Sequence, residues 1–187
     1  MIKKEIRIVG VDDSYFERNQ EKVLVVATIF RGGLFLDGLL STYVELDGKD
    51  ATEKLTKMIN NSRHKKQIKV LMLDGITLAG FNIVDIKELY EKTNIPIIVI
   101  NRKMPDLEKV ERALRNFEDY EERMKKIKNA GEIKKFKKLY YQKIGLSDIE
   151  CQKIIEISTT RGDIPEPLRI AHIIATGIVR GESYGRA

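Results

Sequence analysis

Ile6-Arg7-Ile8-Val9-Gly10-Val11 ends at Asp12-Asp13, and a few residues later comes Lys22-Val23-Leu24-Val25-Val26-Ala27-Thr28-Ile29-Phe30. Both runs are β-branched and almost continuously apolar, the pattern of strands buried on both faces. The stretch between them, Asp13 to Gln20, is polar and too short for a crossover helix. Two strands joined this closely pair antiparallel. Arg31-Gly32-Gly33 then breaks the second run. Leu34 to Leu46 reads as a third strand with a bend near Gly38, so the chain opens on a three-strand meander.

The pattern then changes. Asp50-Ala51-Thr52 opens a helix with Leu55, Met58 and Ile59 at helical spacing. Asp50 stands where an N-cap is wanted and Glu53 lies three residues on, as in a capping box. Ile68 to Leu73 is a fourth strand ending at Asp74-Gly75. Asp85 to Thr93 is a helix with Ile86, Leu89 and Tyr90 inward, and Ile95 to Ile100 is a fifth strand. From Pro105 onward the reading is helical: Asp106 to Lys128 on Leu107, Val110, Leu114 and Phe117, then Ile144 to Ser158 and Pro165 to Val179. A meander followed by βαβ units gives an α/β fold with one mixed sheet, part antiparallel and part parallel, flanked by helices. That order is the ribonuclease H-like one. One domain spanning residues 1–187 is expected, since 187 residues suit a single core.

Composition narrows the function classes. Hydrophobic residues make up 42% of the chain and charged residues 33%. The single cysteine, Cys151, excludes an internal disulfide; with no signal-peptide pattern at the start, a cytoplasmic location is expected. No run of about 18 apolar residues is present, so no membrane partner is expected. A net charge of +6 and a pI near 9.2 suit a polyanionic partner.

Acidic residues stand at strand ends and at a helix start. Asp12 and Asp13 close the first strand and Asp74 closes the fourth. Asp50 opens the first helix, with Asp47 and Glu45 just before it. If the first and fourth strands run parallel as neighbours, Asp12 and Asp74 share one sheet edge. Hard cations such as Mg²⁺ take a few carboxylate oxygens, and a metal held this way drives phosphoryl chemistry. Asp-Gly after a strand is also an ordinary turn.

Four strings resemble the endonuclease dU family: Gly10-Val11-Asp12-Asp13-Ser14, Asp47-Gly48-Lys49-Asp50-Ala51-Thr52, Leu73-Asp74-Gly75-Ile76-Thr77-Leu78-Ala79-Gly80-Phe81-Asn82, and Pro165-Glu166-Pro167-Leu168-Arg169-Ile170-Ala171-His172. The family is archaeal and regarded as a remote relative of endonuclease V. The resemblance implies a Mg²⁺- or Mn²⁺-dependent endonuclease that cuts DNA (or RNA) at deaminated bases such as deoxyuridine or inosine, in DNA repair. It implies catalytic Asp12, Asp50 and Asp74, with metal ligands drawn from Asp12, Asp13, Asp47, Asp50 and Asp74. The middle acid has no clean match: Asp50 is nearest, and Asp13 can stand in for Asp12. The chain lacks the Pro-Gly wedge motif of endonuclease V, and Gly145-Leu146-Ser147 stands where that family has a late histidine. A nucleic-acid-binding module without catalysis is the alternative.

Candidate nucleic-acid contacts are Arg31, Lys49, Lys134, Lys135, Lys137 and Lys138, as phosphate partners, with Tyr140 and Tyr141 as stacking rings. The alternative for the lysine-rich segment is a solvated helix face. The Gly75–Asn82 loop either offers backbone N–H groups to a phosphate or is a plain turn. His172, among apolar residues on a helix, reads as a core histidine, His64 as a surface residue and Cys151 as buried.

Overall fold

The computed structural model describes residues 2–185. Strands β1 (Arg7–Asp13), β2 (Lys22–Arg31) and β3 (Phe35–Glu45) form the antiparallel meander. Helix α1 (Ala51–Asn60) crosses over to β4 (Val70–Asp74), which pairs parallel with β1. A separate two-strand hairpin, β5 (Thr77–Leu78) and β6 (Asn82–Ile83), precedes α2 (Ile86–Thr93) and β7 (Ile97–Asn101), parallel to β4. There follow α3 (Leu107–Leu114), α4 (Tyr120–Asn129), β8 (Lys134–Phe136), β9 (Leu139–Ile144), α5 (Asp148–Ser158) and α6 (Glu166–Arg180). The main sheet has seven strands in the order β3-β2-β1-β4-β7-β9-β8.

Strand alternation sorts the core into two layers. Val9, Val11, Val25, Leu71, Leu73 and Val99 pack with Leu55, Ile59 and Leu89 of α1 and α2. On the other face Ile8, Val70, Met72, Ile98 and Ile100 pack with Ile154 and Ile155 of α5 and Leu168 of α6. Each such side chain stabilises the fold by roughly 1.5–3 kcal/mol on burial. Helix α6 lies so close to β1 that a Cβ on Gly10 would sit 2.2 Å from the Pro167 carbonyl carbon. Thr28 on β2 fixes the same point, its hydroxyl donating to Pro167 O at 2.6 Å.

Three local expectations are corrected. The reading of continuous helix after Pro105 fails at residues 134–144, which form the β8–β9 hairpin. Leu139 and Tyr141 alternate inward from β9, and β9 pairs antiparallel with β7. The lysines around them hid that period of two. The helix expected over residues 106–128 is two helices, broken between Leu114 and Tyr120. Asp50 is the N-cap of α1 but makes no side-chain cap hydrogen bond. Its Oδ1 instead accepts from Glu45 N at 3.0 Å and Asn82 Nδ2 at 2.7 Å.

Candidate active site

The parallel register sets Val11 opposite Leu73, so the next residues, Asp12 and Asp74, end their strands side by side. Both follow the parity of Gly10 and Met72, which puts their side chains on the α6 face of the sheet. Together with Asp13, Tyr15, Arg102 and His172 they line a cleft of about 430 Å³. Asp12 is almost fully buried, at 5% exposure.

Each carboxylate has a basic partner. His172 Nδ1 lies 2.8 Å from Asp12 Oδ2, and its Nε2 lies 3.2 Å from the carbonyl oxygen of Tyr184. Both ring nitrogens face acceptor oxygens, an arrangement that favours the doubly protonated ring. The hydrogen bond to Asp12 raises the His172 pKa above its ordinary value against the opposing effect of burial. Arg102, just past β7, donates from a terminal nitrogen to Asp74 Oδ2 at 3.1 Å. Burial, and then the charge of Asp12, push the Asp74 carboxyl up to about 6 even though Arg102 opposes the rise. Asp13 is pushed up to about 7, again by burial first and Asp12 second. Arg180 closes one side, its guanidinium 4.4 Å from the Tyr15 ring centre and 4.6 Å from that of Tyr184.

Asp13 points to the opposite face from Asp12, and its Oδ2 accepts from Ala79 N at 2.6 Å. Asp47 holds the same turn from the other side: Oδ1 accepts from Phe81 N at 2.8 Å, and its own N–H donates to Ala79 O at 2.8 Å. Asp47 itself has φ of +53°. Two N–H groups of the 75–82 loop are thereby taken by carboxylates of the chain, which favours the plain-turn reading over phosphate contact. Asp47 and Asp50 do not line the cleft. The structure therefore brings together Asp12 and Asp74, with Asp13 at the wall, and leaves Asp47 and Asp50 in the framework of the β5–β6 hairpin. Among the described residues, no three His, Cys, Asp or Glu side chains are arranged as a ready metal cage.

The basic candidates scatter. Lys49 pairs with Asp119 at 3.2 Å. Lys134 pairs with Asp148, Lys137 with Glu156 and Lys138 with Asp163, at 2.8, 3.0 and 3.0 Å. Lys135 lies 5.9 Å from the Tyr140 ring centre. Tyr141 is 1% exposed, with its hydroxyl on Asp148, so the stacking role expected of it is corrected: its ring is inside the fold. Arg31 pairs with Asp37 at the far end of the sheet. Cys151 is buried as expected, and burial pushes its thiol up to about 12.

Sequence reading missed His172 and Arg102. Leu168, Ala171 and Ala175 form the buried stripe of α6, and His172 stands beside it, facing the strand ends. A small-residue stripe on a late helix was the available signal, since only a closely docked helix needs alanines there. Arg102 follows the third parallel strand as Asp12 and Asp74 end the first two, and the same edge argument extends to it.

A family model described as endonuclease dU matches residues 4–179. A protein called "UPF0215 protein" in Methanothermobacter thermautotrophicus is 52% identical over 191 residues, covering 100% of this chain and 94% of its own length. The crystal structure of a protein of unknown function from Archaeoglobus fulgidus superposes with a TM-score of 0.89 at 43% identity, over 94% of this chain and 99% of that one. Endonuclease V of Ciona intestinalis, crystallised with a 24mer DNA containing an inosine, superposes at 0.61 with 15% identity over 94% of this chain and 86% of its own. That likeness identifies the ribonuclease H-like fold. No helix among the described residues is long and apolar enough to cross a membrane.

Proposed function

This chain belongs to the endonuclease dU family, and from that premise we propose that it is a metal-dependent endonuclease hydrolysing phosphodiester bonds in nucleic acid. The substrate proposed is DNA carrying a deaminated base, deoxyuridine or inosine. The observation that carries the reading is the pairing of Asp12 and Asp74 at the ends of two parallel strands, on one face, in one cleft.

The donor set fits Mg²⁺ or Mn²⁺. Hard cations of this size take one or two protein carboxylates and complete their shell with water and substrate phosphate oxygens, so a three-residue cage is not required. Burial and the charge of Asp12 raise the proton affinity of the Asp74 carboxyl, and a cation between the two carboxylates relieves that repulsion. Asp12 and Asp74 would hold it, while Asp13, on the other face, keeps its hydrogen bond from Ala79 N. When bound, the metal supplies a water acidic enough to attack phosphorus at neutral pH. His172 orients the Asp12 carboxylate through Oδ2, and the Asp13 N–H donates to Oδ1 at 2.9 Å. Arg102 does the same for Asp74 and presents its remaining N–H groups to a phosphate. Tyr15 and Tyr184, stacked on Arg180, offer ring faces at the rim.

A nucleic-acid-binding module without catalysis is the second reading, favoured by the withdrawal of Asp50 into the framework. Strand cleavage of uracil- or inosine-containing DNA that requires Mg²⁺ or Mn²⁺, and is lost in Asp74→Asn, supports the enzyme. Salt-sensitive binding with no cleavage under any divalent cation supports the module.

A further inference from the structure

A second constellation lies at the opposite end of β1. Arg7 begins that strand and Arg31 ends β2, and the antiparallel register sets them directly opposite one another. Like charges across a strand pair repel. Here a bulge in β3, where the register shifts between Ile29 and Phe30, delivers Asp37 between them. Arg7 Nε donates to Asp37 Oδ2 at 3.0 Å and Arg31 Nε donates to the same oxygen at 2.7 Å. The hydrogen bond from Arg31 holds the Asp37 carboxyl below its ordinary range.

We propose that Arg7, Arg31 and Arg63 form a phosphate-binding pocket, separate from the carboxylate cleft and remote from it in the sheet. The three arginines, with Asp37, His64 and Gln67, enclose a cavity of about 300 Å³ that shares no lining residue with the cleft. One carboxylate fixes two guanidiniums through their Nε atoms, leaving the two terminal nitrogens of each without a side-chain partner among the described residues. A guanidinium held by Nε presents its remaining donors in a rigid fork, the geometry that suits phosphate oxygens. Arg63 Nε donates to His64 Nε2 at 3.2 Å, so Arg63 too keeps its terminal nitrogens.

Charge favours an anion there. Three arginines meet one lining carboxylate; Glu5 is the other acid acting on Arg31. The adjoining segment from Lys54 to Leu73 carries Lys54, Lys57, Arg63, Lys65, Lys66 and Lys69 and no acid. The ligand chemistry is a phosphate group, either of a polynucleotide backbone or free in solution. The inference stands on this pocket alone and does not need the carboxylate cleft to be catalytic.

The test is a titration of the metal-free protein, first with inorganic phosphate and then with a short single-stranded oligonucleotide, followed by amide NMR shifts. Shifts centred on Asp37, His64 and Gln67 are expected. Arg31→Gln and Arg63→Gln should each weaken the affinity by about tenfold, as for one charge-assisted hydrogen-bond set. Arg63→Gln leaves the Asp37 anchor intact and guards against misfolding of the first variant. Arg31→Lys, which keeps charge but not the fork, should be nearly as weak as Arg31→Gln. Saturation by inorganic phosphate identifies a free-anion site, and shifts with the oligonucleotide alone identify a backbone contact; either supports the pocket. Absence of shifts with both probes, or affinities unchanged in the two Gln variants, overturns it. The Asp74→Asn protein should bind both probes like the wild type, so loss of cleavage and loss of this pocket are read separately.

Discussion

His172 and Asp12 meet across 160 residues of chain, with Nδ1 2.8 Å from Oδ2. The pair joins the first strand to the last helix at the mouth of the cleft. It works in both directions, since the carboxylate raises the proton affinity of the ring and the ring orients the carboxylate.

The His172 pKa, followed by NMR, should therefore lie above its ordinary value of 6.5 in the metal-free protein. Asp12→Asn should return it toward that value. The stability this pair contributes is fully present below pH 6.5 and is lost as pH rises through the raised folded pKa. A ring pKa unmoved by Asp12→Asn would remove the coupling.

Asp74→Asn should abolish metal-dependent cleavage and leave the metal-free protein more stable at pH 7. The Asp74 carboxyl titrates at about 6 in the fold against 3.8 ordinarily. At 1.36 kcal/mol per pH unit, its ionised form costs at most roughly 3 kcal/mol. Melting temperature and nicking are to be measured on one preparation. Full activity in this variant contradicts the proposed cation site.

The metal-free protein should lose stability as pH rises from about 4 to about 7. A carboxyl whose pKa is raised by folding stays protonated in the fold where the unfolded chain has ionised, and Asp74 and Asp13, at about 6 and 7, set that window. Mg²⁺ or Mn²⁺ should reverse the loss, raising the melting temperature more at pH 7.5 than at pH 5, where protons compete for the same oxygens. A cation effect equal at both pH values would speak against binding at these carboxylates.

Gly10→Ala should be among the most damaging small substitutions in the chain. The added methyl would sit 2.2 Å from the Pro167 backbone, which cannot give way as a side chain can. A cost of about 1–3 kcal/mol or more is expected. The His172 resonance should shift as well, because α6 must lift from β1. An unchanged melting temperature would mean that α6 is not docked as described.

Charge reversal in the β8–β9 hairpin should act unequally. Lys134, Lys137 and Lys138 already face carboxylates, so their reversal should lower the melting temperature slightly and barely alter the salt dependence of DNA binding. Lys135→Glu, removing a charge that lies near Tyr140 rather than an acid, should change the salt slope most. Equal slopes in all four variants would exclude the hairpin from the interface.

Five of the seven strands of the main sheet, β1 to β4 and β7, were legible because they are written in β-branched residues that polar turns cannot imitate. Asp12 and Asp74 followed from strand ends and a parallel pairing. Asp50 and Asp47 misled because proximity in sequence to an acidic motif says nothing about which face of a hairpin a carboxylate serves. Both hydrogen-bond backbone N–H groups within the framework instead. His172 was hidden because its partner is a residue at the other end of the chain, and no local pattern encodes that. The β9 strand was hidden because four of the five residues before Leu139 are lysines, and their solvated charge outweighs a two-residue apolar period.

The bulge that hands Asp37 to two arginines also shapes the free edge of the sheet. β3 stands at the end of the sheet, eleven residues long, with Phe35, Leu39 and Tyr43 exposed. A straight edge of that length and greasiness would template a neighbouring molecule's strand and invite aggregation. The extra residue bends the edge and plants a charge on it, so that an incoming strand finds its ladder out of step. Without that extra residue the edge would offer an unbroken ladder to such a strand.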